Sequence, residues 1–227
     1  MMHQQISKKI VLYFFLFILL GTVNNFKFSK IFKFRINEIK VYGLNDAQNL
    51  KISNQLDFLK FHNLLFLDKI VIDEIINSNN FVEKYFVFKR YPQTLEIKIL
   101  KAKNIANVVK NKNFFFIGSN GKLIESNKPD KDIPFVFGNL NIKNFLAFKK
   151  ELEISKLEYS QIEKIFYFNS NRWDVKMKNG ILIKLPNLKT IQALNLASKL
   201  ISKKKFSKIS TIDLRIENQV ITNNEQF

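Results

Sequence analysis

An uninterrupted apolar run near the N-terminus, Ile10 to Val23 (IVLYFFLFILLGTV) behind Lys8 and Lys9, constrains this chain more than any other feature. It is apolar all round, so it lacks the single stripe that seats a helix on a soluble core. A run of 14 residues is short for a membrane span and matches a signal-peptide core, but no small-residue cleavage pattern follows it. Extending the helix to Phe28, with Asn24 and Asn25 near the interface and Lys27 snorkelling, gives 19 residues and roughly 28 Å, enough to span. The expectation is therefore an uncleaved transmembrane signal anchor over residues 10–28 behind a short tail, 1–9. Lys8 and Lys9 precede the run whereas Lys27, Lys30, Lys33 and Arg35 follow it, the reverse of the positive-inside bias, so charge leaves the topology open.

The remainder reads as folded protein, because 46% of the chain is hydrophobic even though its net charge is +18. Such a balance points first to nucleic acid or an anionic membrane surface. Only four of the 37 cations are Arg, however (Arg35, Arg90, Arg172, Arg215), and base readout leans on Arg for bidentate contacts. The Lys residues are scattered and travel with abundant Asn, Ile and Phe, residue types that share A/T-only codons, so an AT-rich coding sequence accounts for the basicity without a polyanionic partner. No nucleic acid is expected.

From Phe34 the elements alternate. Phe34 to Tyr42 reads as a strand stopped by Gly43, and Asn45 and Asp46 offer helix-capping chemistry. Ile52, Leu56 and Leu59 share a helical face, giving a helix over about Leu50 to Leu59; Val71, Ile72, Ile75 and Ile76 make a second, ending at Asn77 to Asn80. Val82 to Tyr91 is β-rich, Pro92 breaks it, and Thr94 to Ile99 alternates strictly, burying Leu95, Ile97 and Ile99 with Glu96 and Lys98 outward. The result is a strand-helix-helix-strand-strand module, with helices on one sheet face.

Two further hairpins follow. Asn113 to Ile117 and Lys122 to Ile124 flank Ser119-Asn120-Gly121, and Arg172 to Lys178 and Ile181 to Leu185 flank Asn179-Gly180. In the second, a three-residue loop Lys178-Asn179-Gly180 with Gly180 left-handed opposes Met177 to Ile181, Val175 to Ile183 and Trp173 to Leu185, whereas a two-residue loop would oppose Val175 to Lys184; the first register keeps apolar residues together. Ile142, Phe145 and Leu152 suggest a helix between the hairpins, and Leu188, Ile191, Leu194 and Ile201 another after Pro186. Ser210 to Ile216 alternates Ile212, Leu214 and Ile216 toward a core, and Glu217 to Ile221 continues in a strand-compatible pattern.

Catalysis finds little to work with. The absence of Cys excludes zinc–thiolate sites, disulfides, a thiol nucleophile and a lipid anchor on an N-terminal Cys. Of two His, His3 precedes the apolar run, and His62 stands in Phe61-His62-Asn63 without a Ser or Asp motif beside it. Neither G-x-G-x-x-G nor G-x-x-x-x-G-K occurs among the six Gly. No catalytic, cofactor or metal site and no small-molecule substrate is expected.

Four segments carry a family resemblance: Ile39-Lys40-Val41-Tyr42-Gly43, Lys89-Arg90-Tyr91-Pro92-Gln93-Thr94-Leu95, Arg172-Trp173-Asp174-Val175 through Asn179-Gly180, and Ile212-Asp213-Leu214-Arg215. In this order and spacing, behind an N-terminal anchor, they resemble the FtsQ/DivIB family of bacterial cell-division proteins. Three of the four Arg fall inside them; a guanidinium packed on an aromatic ring or paired with a carboxylate, as Arg172 could be with Trp173 or Asp174, accounts for that structurally. The chain departs from the family at Lys101-Ala102-Lys103-Asn104-Ile105-Ala106, where a Glu-Arg pair is usual, and at Gly118, which lacks a frequent Asp.

The resemblance implies an α+β protein: a POTRA-like domain over 34–103, a mixed β domain with two helices over 104–222 and a C-terminal tail, 223–227. It implies a non-enzymatic, single-pass protein of the inner membrane at the division septum, N-terminus cytoplasmic and bulk periplasmic. Its partners would be FtsB-like and FtsL-like coiled-coil proteins and other divisome proteins, and its role the control of septal peptidoglycan synthesis. The family's docking edge carries over onto Arg215, Ile216, Glu217, Asn218, Gln219, Val220 and Ile221, which would receive a partner by strand addition. An alternative is a Lys-rich membrane-anchored envelope protein that binds anionic lipid or cell-wall polymer. A POTRA-bearing outer-membrane assembly factor fits less well, since the chain after the first module supplies too few strands for a transmembrane barrel.

Overall fold

Strict alternation makes Leu95, Ile97 and Ile99 fully buried, and in the computed structural model they lie on the central strand of a three-stranded sheet. The structure describes residues 8–23, 34–139, 141–203 and 209–224. These divide into two compact units, residues 1–78 with 85–100 and residues 79–84 with 101–227.

The first unit holds β1 (Glu38–Tyr42), α2 (Asp46–Gln55), a 3-10 turn (Asp57–Phe61), α3 (Lys69–Asn77) and most of β2 (Val82–Arg90) and β3 (Thr94–Lys101). The sheet order is β1-β3-β2, with β1 parallel to β3 and Val41 opposite Ile97. The expected order of elements is present, with shifted bounds. β1 begins at Glu38 rather than Phe34, because Arg35 instead bridges Asn63. The first helix begins at Asp46 because Asn45 caps it, its Oδ1 accepting from the Gln48 amide at 2.8 Å. Leu59 falls in the 3-10 turn, yet it is buried together with Ile52 and Leu56. In α3 Ile72 and Ile76 are buried, whereas Val71 faces solvent, so the apolar stripe is narrower than expected.

Gly43 shows why β1 ends where it does. Its φ is +107°, and a Cβ there would lie 2.0 Å from the Ile99 carbonyl oxygen. Only glycine permits that approach to β3.

The second unit is a nine-stranded sheet formed by β4 (Asn104–Lys110), β5 (Asn113–Gly118), β6 (Leu123–Ser126), β7 (Phe135–Phe137), β8 (Ile162–Phe168), β9 (Arg172–Met177), β10 (Leu182–Lys184), β11 (Ile209–Asp213) and β12 (Ile221–Asn224). The order is β12-β11-β10-β9-β8-β7-β4-β5-β6. Helices α4 (Ile142–Ile154) and α5 (Thr190–Ile201) share one core with it. A single row crosses five strands, Val136–Ile165–Val175–Ile183–Ile212, every member at most 2% exposed. Against that core pack Phe145, Phe148 and Leu152 of α4 and Ala193, Leu194 and Ala197 of α5. Trp173 stacks flat on Phe148, with centroids 4.5 Å apart and planes at 4°.

The three-residue loop places Val175 opposite Ile183, as expected, and Gly180 is left-handed at φ +90°. The Ser119-Asn120-Gly121 turn joins β5 to β6, and the Asn120 amide donates to the carbonyls of Asn80 and Val82, each at 2.8 Å. Leu188 proves exposed and lies ahead of α5, which starts at Thr190.

At the N-terminus, α1 (Lys8–Val23) is described over 16 residues, about 24 Å at 1.5 Å per residue. No helix among the described residues is long and apolar enough to cross a membrane. Residues 24–28, which would complete the expected span, lie outside the described residues, as do 1–7 of the tail.

Candidate functional site

The end of the large sheet is built by a hairpin whose second strand the sequence places too early. β11 pairs parallel with β10, putting Ile212 opposite Ile183, and β12 returns antiparallel with Ile221 opposite Asp213. β12 is the terminal strand, so one side of its backbone bonds β11 while the other meets no strand among those described. A terminal strand is an exposed row of donors and acceptors.

Arg215 to Val220 form the connection between these strands rather than a strand themselves. Asn218 adopts a left-handed φ of +61°, and the Gln219 amide donates to the Ile216 carbonyl at 3.2 Å. Ile216, expected in the core, is 53% exposed, because the alternation ends when the chain leaves β11 after Asp213. Of the seven expected docking residues only Ile221 belongs to a strand, and the strand runs on through Asn224. Thr222, Asn223 and Asn224 are thus edge residues that sequence reasoning missed. Residues 225–227 of the expected tail lie outside the described residues.

The connection is nevertheless shaped. With the start of α5 it lines an open groove of about 540 Å³, whose apolar surface comes from Leu188, Leu196, Leu214, Ile216 and Val220. Glu217 forms an ion pair with Lys189 across the mouth. Leu188 and Leu196 were read from sequence only as helix residues or not at all; a groove wall made by two elements far apart in sequence leaves no local signal.

On the sheet face away from the helices, a second row runs next to the core row: Phe137–Phe166–Asp174–Lys184–Asp213–Ile221. It brings together two of the family-like segments, Arg172-Trp173-Asp174 and Asp213-Leu214-Arg215. Arg215 donates from Nε to Asp213 Oδ1 at 2.9 Å and from a terminal nitrogen to Oδ2 at 2.6 Å, a fork that fits a carboxylate. Hydrogen bonding from Arg215 holds the Asp213 carboxyl below the usual carboxylate range, and the same bond raises the Arg215 guanidinium. Asp174 behaves oppositely: at 5% exposure, burial pushes its carboxyl up against the pull of Arg172, Lys184 and Arg215. Arg172 bonds Asp174 at 3.3 Å and lies 4.4 Å over the Phe168 ring. Both structural roles expected for these arginines are therefore filled, with Phe168 as the ring instead of Trp173.

His62 is exposed, caps the 3-10 turn and meets Phe58 edge-on at 5.9 Å. Among the described residues, no group of three or more His, Asp or Glu side chains could hold a metal ion.

Residues 106–215 match the family model "Cell division protein FtsQ/DivIB, C-terminal", a range that contains β5 to β11 and ends at Arg215. The cell division protein FtsQ of Rickettsia bellii is 27% identical over 195 residues, 82% of this chain and 71% of that protein. The FtsQ of Rickettsia felis is 26% identical over 207 residues, 87% of this chain and 75% of that protein. DivIB of Clostridium botulinum is 27% identical over 134 residues, 59% of this chain and 51% of that protein.

Proposed function

We propose that this chain, which belongs to the FtsQ/DivIB family of cell-division proteins, acts in division as a membrane-anchored scaffold that receives a partner on its terminal strand. FtsQ/DivIB proteins are not enzymes, and this chain takes part in division without catalysing a reaction. The observation that carries the proposal is β12, an edge that no other described strand extends, next to an apolar groove. An added strand would gain backbone hydrogen bonds along Ile221–Asn224, and side chains on its neighbouring segment would fill the groove over Leu188, Leu196 and Val220. The partners on this reading are coiled-coil proteins of the FtsB and FtsL type, and the process regulated is septal peptidoglycan synthesis. The docking segment expected from sequence, Arg215 to Ile221, then contributes groove wall more than strand.

The membrane reading rests on the apolar run, Ile10 to Val23, continued through residues 24–28, and on membership of the family. It places residues 34–227 on the far side of an inner membrane, with the strand-helix-helix-strand-strand unit acting as a POTRA-like domain.

Proline substitution along β12 tests the docking edge. Proline cannot donate to a ladder, and successive amides point to opposite sides of a strand. Proline placed singly from Ile221 to Asn224 should abolish co-purification of the coiled-coil partners from detergent-solubilised membranes at alternate positions, with the circular dichroism spectrum unchanged there. Retention of the partners by all four variants would move the docking site away from this edge.

A further inference from the structure

The first unit exposes an aromatic and apolar surface that neither the docking edge nor the core uses. Phe66 is 85% exposed and Phe61 76%, with Leu65 and Tyr91 also facing solvent. These residues come from two segments, yet the backbone gathers them where the chain enters the unit. The Leu64 amide donates to the Phe34 carbonyl at 2.6 Å, and the Ile36 amide to the His62 carbonyl at 3.1 Å. Arg35 donates from Nε to the Lys60 carbonyl at 3.2 Å and holds its guanidinium 5.4 Å from the Phe61 ring centre. Tyr91 meets Phe34 edge-on at 5.9 Å, and Lys89 reaches the Leu65 carbonyl at 3.1 Å.

Large apolar side chains do not stand exposed together without cost in water, and here they are interleaved with Arg35, Lys60 and Lys89. That mixture suits the boundary between headgroups and acyl chains, where rings enter the apolar layer and cations stay with phosphate. Of the nearby carboxylates, Asp57 pairs with Lys60 and Asp68 accepts from the Ile70 amide at 2.9 Å as the cap of α3. Chain length supplies the geometry: Phe34 follows Phe28, the end of the anchor as read above, by six residues, at most about 22 Å at full extension. A unit tethered so closely, whose 60–64 backbone is hydrogen-bonded to Phe34, Arg35 and Ile36 at the chain's entry, has the bilayer surface within reach.

We infer that the 61–66 loop with Tyr91 seats the first unit on an anionic lipid surface, Phe61, Leu65 and Phe66 entering the interface and Arg35 and Lys89 meeting lipid phosphates. This rests on the membrane-anchor reading above. Seating would hold the unit at one height over the bilayer.

The chain has no Cys, so single labels are clean. The full chain carrying Phe66→Cys, labelled with an environment-sensitive fluorophore, is reconstituted into phosphatidylglycerol-containing vesicles. Flotation of the vesicles first reports whether the chain is membrane-held. Seating predicts that lipid-borne nitroxide quenches the label by about twofold or more while aqueous iodide barely does, and that Arg35→Glu with Lys89→Glu reverses the order. A chain that floats but whose label is quenched only by iodide overturns the seating and leaves the anchor standing. A chain that does not float overturns both.

Discussion

Replacing Trp173 by alanine removes the largest side chain of the second core. The indole is 7% exposed and lies flat on Phe148 at 4.5 Å; it also meets Tyr167 at 4.5 Å and Phe145 at 6.4 Å. Truncating a buried Trp to Ala costs about 3–5 kcal/mol, from lost transfer free energy and the cavity left behind. Aromatic pairs add about 0.5–1.5 kcal/mol each beyond area burial, and three neighbours from α4 and β8 place this site at the upper end. The cavity does not collapse easily, because Phe148 is held by its own helix and Tyr167 by bonds to Asn144 at 3.2 Å and Asn171 at 2.6 Å. For a domain of this size, roughly 4 °C per kcal/mol gives a fall in Tm of about 12–20 °C. The measurement is thermal unfolding of the full chain in detergent by far-ultraviolet circular dichroism, since the variant loses its only Trp. A change below about 1 kcal/mol would mean that the indole is not a core element, and the packing argument would fail with it.

Gly43→Ala should prevent native pairing of β1 with β3, because its Cβ would strike the Ile99 carbonyl at 2.0 Å, whereas Gly180→Ala, at φ +90° with nothing within 4 Å, should cost only about 1 kcal/mol of backbone strain; urea unfolding of both variants compares them. Asp213→Asn should destabilise the protein at pH 7 but not in strong acid: the folded carboxyl titrates below its unfolded value, so its contribution is present above the unfolded range and lost as pH falls through the depressed one. Asp174, whose folded carboxyl is raised, has the opposite sign, so the stability of Asp174→Asn relative to the parent should be greatest at neutral pH and shrink as acid protonates the parent. Chemical denaturation from neutral pH into the acid range measures both.

The amino-acid sequence by itself determined what depends on neighbours along the chain. Asn179-Gly180 specified the β9–β10 register because loop length and the left-handed glycine leave one pairing that keeps Val175 with Ile183. Strict alternation marked Leu95, Ile97 and Ile99, and Asn45 marked a helix start, because periodicity and capping act over a few residues. What only the tertiary structure decided is non-local. The parallel pairings of β1 with β3 and of β10 with β11 join segments separated by whole helices, and no local pattern encodes them. β4, β7 and β8 were not separable as strands from the sequence, since Phe135–Phe137 is too short to show a period and pairs with β8 only after α4 crosses over. Arg215 to Val220 had the composition of a strand and became a turn, because Arg215 closes back on Asp213 and Asn218 turns left-handed, which lets Ile221 return beside Asp213. The groove beside the terminal strand exists only because α5 and that turn, distant in sequence, pack around Leu214.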